Sequence, residues 1–97
     1  MYLYNVSIII EDSHHDSLVQ WLKEFWLPSI TQQDVKFLKM LHSPHEGHTY
    51  CVQFAASNEQ EIQKFQEDFI TGLQERIATV HIEKAFIFDS TMQYLDV

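Results

Sequence analysis

Basic residues are scarce in this chain. Lys23, Lys36, Lys39, Lys64, Arg76 and Lys84 are all there are, against 14 Asp and Glu, for a formal net charge of −8. They are scattered, whereas nucleic-acid binding draws on clustered Lys and Arg to neutralise phosphates. The same shortage argues against an anionic membrane surface. Cysteine is limited to Cys51, which excludes an intrachain disulfide and a Cys-rich metal framework. Glycine and proline number two each, so there is no Gly-rich phosphate loop, linker or low-complexity segment. No apolar run approaches the roughly 20 residues that span a bilayer. The N-terminal MYLYNVSIII lacks a basic leader and a small-residue cleavage site. A soluble protein of a reducing, cytoplasmic compartment is the expectation. Gly-x-Ser-x-Gly, P-loop, dinucleotide and His-Glu-x-x-His motifs are all missing.

What is present is apolar: 45% of the 97 residues, with 13% aromatic. That suits a single domain over residues 1–97, with a bulky core or a buried subunit interface. Residues 2–10 alternate as a strand, with Tyr2, Tyr4, Val6, Ile8 and Ile10 on one face and Leu3, Asn5, Ser7 and Ile9 on the other. Apolar residues on both faces predict a central strand covered on both sides. Residues 11–30 read as a helix capped by Ser13 with Asp16. Its stripe is Leu18, Trp21, Leu22 and Phe25, and Pro28 is expected to end or kink it at Leu27. Strands follow at 35–42 and 48–56, joined as an antiparallel hairpin. A second helix over 57–77 has Ser57 as cap with Gln60, and Ile62, Phe65, Phe69 and Leu73 as stripe, with Ile70 beside them. Gly72 within it marks close packing or fraying. A last strand covers 83–90, and the semi-apolar tail TMQYLDV is expected to dock.

The order βαββαβ, with a right-handed crossover, predicts an α+β, ferredoxin-like domain. Its four-stranded antiparallel sheet has order 4-1-3-2, with two helices on one face. The other face would expose an apolar patch too large for a soluble monomer. A homodimer through the open sheet face is the expected solution.

The opening MYLYNVSIIIEDSHHDSLVQWLKEFWLPSI resembles that of an uncharacterised family of short bacterial proteins, a domain of unknown function. Shared features are a Tyr-x-Tyr-Asn-Val strand, an acidic-Asp-Ser helix cap and a Trp-Leu-Lys-Glu helix. TYCVQF and FQEDFITGLQERI are similar to that family's third strand and second helix. The resemblance implies membership of the dimeric α+β barrel group, in which two ferredoxin-like units pair sheet to sheet, and brings no activity. The wider superfamily includes cofactor-free monooxygenases and haem-degrading enzymes with sites between sheet and helices. Of the haem-degrading pattern, Asn5 matches in element. The second helix holds Phe65 and Phe69 in place of a tryptophan, and His81 lies beyond it. No cofactor is therefore expected.

Two candidate sites remain. Asn5 and Ser7, with Trp21, Trp26 and Tyr50 as walls, form a candidate small-molecule cleft between sheet and helices, suited to a cofactor-free oxygenase or a binder. Against it stand the reading of these aromatics as core and, since the sequence leaves open which sheet face meets the helices, the alternative that Asn5 faces the dimer barrel. The second candidate lies in MLHSPHEGHTY. Pro44 and Gly47 make SPHEG a turn, and a five-residue loop would set His42 opposite His48 as a weak metal pair. His45 would sit at the tip. Zinc wants three or four ligands, so a solvated hairpin is the plainer reading. His14 and His15 are expected to face solvent, His81 to be a loop residue, and Cys51 to be structural, with no activating partner in sequence.

Overall fold

In the computed structural model, which describes residues 1–30 and 33–97, the even-numbered side chains of the first strand settle the layout. Strand β1 (Tyr2–Ile10) buries Tyr4, Val6, Ile8 and Ile10 against the helices. Full burial of such side chains is worth about 1.5–3 kcal/mol each. It pairs antiparallel with β3 (His48–Ala56) on one side and β4 (Ala85–Gln93) on the other, and β3 pairs with β2 (Val35–Lys39). The sheet order is β2-β3-β1-β4. This is the expected 4-1-3-2 sheet, antiparallel throughout, with both helices on one face.

Helix α1 begins at Asp12–Trp21, widens into a π-helical stretch at Leu22–Trp26 and closes with Leu27–Ser29. Helix α2 repeats the plan, with Glu59–Phe65, a π stretch at Gln66–Ile70 and Thr71–Val80. A π turn holds an extra residue, so it shifts which side chains face inward. Phe25 of the expected stripe is 65% exposed, and Trp26 in its place is buried at 5%. In α2 the stripe passes from Phe65 to Ile70, while Phe69 is only half-buried. Leu27 keeps helical dihedrals and the helix runs to Ser29, past Pro28. The widened turn has already displaced the i to i−4 ladder before the proline arrives.

Both caps differ from expectation. Glu11 stands at the N-cap of α1 with no side-chain cap bond, and Ser13 lies inside the first turn. At α2 the capping box is shifted by one residue: Asn58 Oδ1 accepts from Glu61 N at 2.9 Å, and Glu61 Oε2 accepts from Ser57 N at 2.8 Å. Strand β4 starts two residues later than expected, because His81–Lys84 forms a turn in which Glu83 has φ of 60°. It then runs on to Gln93, since β1 offers partners as far as Tyr2. Beyond it Tyr94 N donates to Met1 O at 3.0 Å, and Leu95 and Val97 are exposed. Gly72 faces open space, with nothing within 4 Å of a Cβ placed there, so it marks no close packing. Among the described residues, no helix is long and apolar enough to cross a membrane.

Candidate functional site

The side-chain alternation that buries Tyr4 and Val6 turns Asn5 and Ser7 away from the helices, onto the open sheet face. The register sets Asn5 opposite Gln53 and Ser7 opposite Cys51. These four side chains form a connected strip. Gln53 Nε2 donates to Asn5 Oδ1 at 3.2 Å, Asn5 Nδ2 donates to Ser7 Oγ at 3.1 Å, and Ser7 Oγ lies 3.7 Å from Cys51 Sγ. Cys51 is a free thiol.

Ser90 on β4 beside Asn5, and Lys36 on β2 beside Gln53, extend this polar row across the sheet, and above and below the row the open face is largely apolar. Leu3 lies between Ala55 and Met92 at one end, and Ile9 between Thr49 and Phe86 at the other. Phe88, opposite Ser7, is 62% exposed, and Phe86 is 53% exposed. Two shallow hollows flank the strip. One of about 230 Å³ lies by Leu3, Asp34, Lys36, Gln53 and Tyr94, and one of about 200 Å³ by Ser7, Ile9, Met40 and Phe88.

The other members of the expected cleft, Trp21, Trp26 and Tyr50, lie on the helix side, so the sheet separates them from Asn5 and Ser7. Trp26 Nε1 donates to Phe69 O at 2.9 Å, tying the two π stretches together. Trp21 packs under the Arg76 guanidinium, 5.3 Å from its ring centroid. Tyr50 stacks on Phe37 at 5.3 Å, and its hydroxyl sits 2.7 Å from His15 Nε2. Burial, and after it the Asp16 carboxylate, hold the Tyr50 phenol above its ordinary pKa. The five residues therefore divide between two faces and do not line one cleft.

The hairpin histidines also part company. Lys39 pairs with Tyr50 and Met40 N donates to Thr49 O at 2.8 Å, where the ladder stops. In that register His48 would face Leu41, not His42. The loop is longer than five residues and is pinned by Ser43 Oγ, 2.8 Å from Thr49 Oγ1. His42 and His45 are exposed. His48 turns instead to the start of α1, with Nε2 2.7 Å from Asp12 Oδ1 and its ring 3.9 Å from that of His15.

Sequence reasoning missed this gathering at the N-terminus of α1. His14 and His15 are half-buried, not solvent-facing. His14 Nδ1 lies 2.9 Å from Nδ1 of His81, which is fully buried in the turn before β4. Burial first, then the charges of Arg76 and His14, depress the His81 pKa. The partners are 67 residues apart, and no local pattern announces them. Among the described residues, no three His, Cys, Asp or Glu side chains converge as a metal site.

Solved structures share the architecture. An ethyl tert-butyl ether D (EthD) family protein from Bacillus halodurans superposes with a TM-score of 0.60 at 11% identity, covering 93% of this chain and 97% of that one. A dimeric ferredoxin-like protein from an uncultured marine organism matches with a TM-score of 0.60 at 9% identity, covering 99% and 96%. A DABB family protein with a ferredoxin-like fold from Mesorhizobium loti matches with a TM-score of 0.60 at 8% identity, covering 99% and 100%. Such identities show the fold alone. No functionally curated protein matches the sequence. Residues 1–95 match the model of a domain of unknown function, DUF4286, and the chain belongs to that family.

Proposed function

We propose that the protein acts through assembly, not catalysis, as a homodimer that pairs two open sheet faces into an α+β barrel. The observation that carries this reading is the charge of that face. Of the 14 acidic residues, none occupies an open-face position of the four strands, where Lys36 is the single charged side chain, and Asp34, just before β2, borders the face in the hollow beside Lys36. Elsewhere the surface is strongly acidic. A second copy meets least repulsion here, and meets apolar side chains such as Phe86, Phe88, Leu38 and Met92.

The area is sufficient. Three strands of nine residues and one of five, about 4.8 Å apart at about 3.3 Å per residue, give a face of roughly 500 Å². Side-chain relief raises this plan area towards the roughly 800 Å² per partner of a standard interface. The marine relative described as a dimeric ferredoxin-like protein supports the same arrangement. An unpaired Cys51 within the barrel suits the reducing, cytoplasmic setting expected from sequence.

Sedimentation at micromolar concentration is expected to show a dimer, with Phe88→Asp at least about 100-fold weaker in association, since it buries an unpaired carboxylate. Because the rest of the surface is acidic, raising salt from low to physiological levels should tighten the wild-type dimer by screening repulsion. A wild-type monomer at these concentrations overturns the reading.

A further inference from the structure

We infer that the strip of Gln53, Asn5, Ser7 and Cys51 is a self-recognition element, one that admits a second copy of this chain in a single register. The inference rests on the homodimer reading above and concerns what selects the partner once the faces meet. The apolar ends of the face attract without direction. Leu3 with Met92, and Ile9 with Phe86, would accept many apolar surfaces and many sliding positions.

The strip behaves differently. Its internal bonds use Asn5 Oδ1, one Asn5 N–H and one Gln53 N–H. Among the described residues, Gln53 Oε1 and the second N–H of each amide have no partner. A facing copy takes these groups out of water. Each one left unpaired weakens association by roughly 5- to 150-fold. A two-fold axis that passes through the strip sets strip on strip, so that each amide finds an amide. Sliding by two residues, about 6.6 Å, away from Ser7 would set the amides over Leu3 and Ala55 and strand them. An unrelated apolar face strands them as well. Buried polar groups that fix register are the best-attested use of such networks.

The test compares Asn5→Val, Gln53→Val and the double variant with wild type, by sedimentation and by 15N–1H correlation spectra of the dimer. Each single variant strands the remaining amide and is expected to weaken association by about 10-fold or more. The double variant is expected to return to wild-type affinity or better, while losing its single register. It should show several resonance sets for Phe86 to Met92, where wild type shows one. A double variant that keeps one resonance set overturns the inference and leaves the homodimer reading intact. So does one weakened by the sum of the single effects, because the strip would then supply affinity alone. A wild-type monomer overturns both. Circular dichroism of each variant confirms that the sheet still forms.

Discussion

Replacing Gly47 by alanine is the sharpest test of the hairpin that joins the two middle strands. Gly47 has φ of 81°, and a Cβ added there would sit 2.4 Å from Ile10 O and 3.3 Å from Glu11 Cα. Favourable non-bonded separations begin near 3.5 Å, so the overlap with the carbonyl is about 1 Å. The obstructing atoms are backbone and cannot swing aside. Ile10 is fully buried and paired on both sides, with His48 and Ala85, and Glu11 N donates to Lys84 O at 2.9 Å. Left-handed geometry costs an L-residue about 1–2 kcal/mol, and relieving the overlap about 1–3 kcal/mol more. The total of about 2–5 kcal/mol corresponds to a fall in Tm of roughly 10–30 °C for a domain of this size. Gly72→Ala supplies the control, since the same methyl enters open space on an exposed helical site. It should stabilise by about 0.5–1 kcal/mol. Urea unfolding followed by circular dichroism, at one fixed protein concentration because association shifts the midpoint, reads both. A Gly47→Ala variant within about 0.5 kcal/mol of wild type would refute the reasoning.

Three further substitutions probe the interior. Trp26→Phe removes the indole N–H from Phe69 O and should cost about 1–3 kcal/mol by leaving that carbonyl unpaired, again read by urea unfolding. Tyr4→Phe deletes a hydroxyl that donates to Asp89 Oδ2 at 2.6 Å. It should cost about 1.5–3 kcal/mol, and a stabilised variant would contradict the bond. The depressed pKa of His81 sets a sign. The unfolded chain takes up its proton first, so stability should fall as pH drops below about 6.5 and stop falling on this account below the folded pKa. The slope for this one proton is at most about 1.4 kcal/mol per pH unit. His81→Asn should flatten that part of the profile, and an unchanged profile would assign the acid loss elsewhere.

Period-two alternation made the sheet legible. The even positions of β1 are uniformly apolar while the odd ones include Asn5 and Ser7, and that contrast alone indicates which face meets the helices. Of the two places open to Asn5, a cleft with Trp21, Trp26 and Tyr50 or the open sheet face, this contrast favours the second. The helix stripes were legible only to their midpoints, because a 3.6-residue period is correct until the turn widens. Phe25 and Trp26 are adjacent and both apolar, so nothing in their chemistry reveals which one the π turn brings inward. The caps slipped by one or two residues among runs of Asp, Ser, Asn and Glu that can all serve. The histidine gathering depended on tertiary adjacency: α1 starts beside the start of β3 and the turn before β4, and only the closed sheet brings His14, His15, His48 and His81 to one place.

The two π stretches also bear on which length changes the chain can absorb. A residue in an ordinary α turn cannot be removed without rotating everything beyond it by about 100°, which would take Leu18 or Leu73 off the core. A widened turn already holds one residue more than the ladder needs. Phe25 is exposed and lies within such a turn, so its loss would return the helix to regular winding with Leu22 and Trp26 still facing inward. Gln66–Ile70 offers the same allowance on α2. Homologues one residue shorter at either place could keep this sheet and this core, and an alignment that penalised such gaps as it does gaps elsewhere in a helix would misplace the residues that follow.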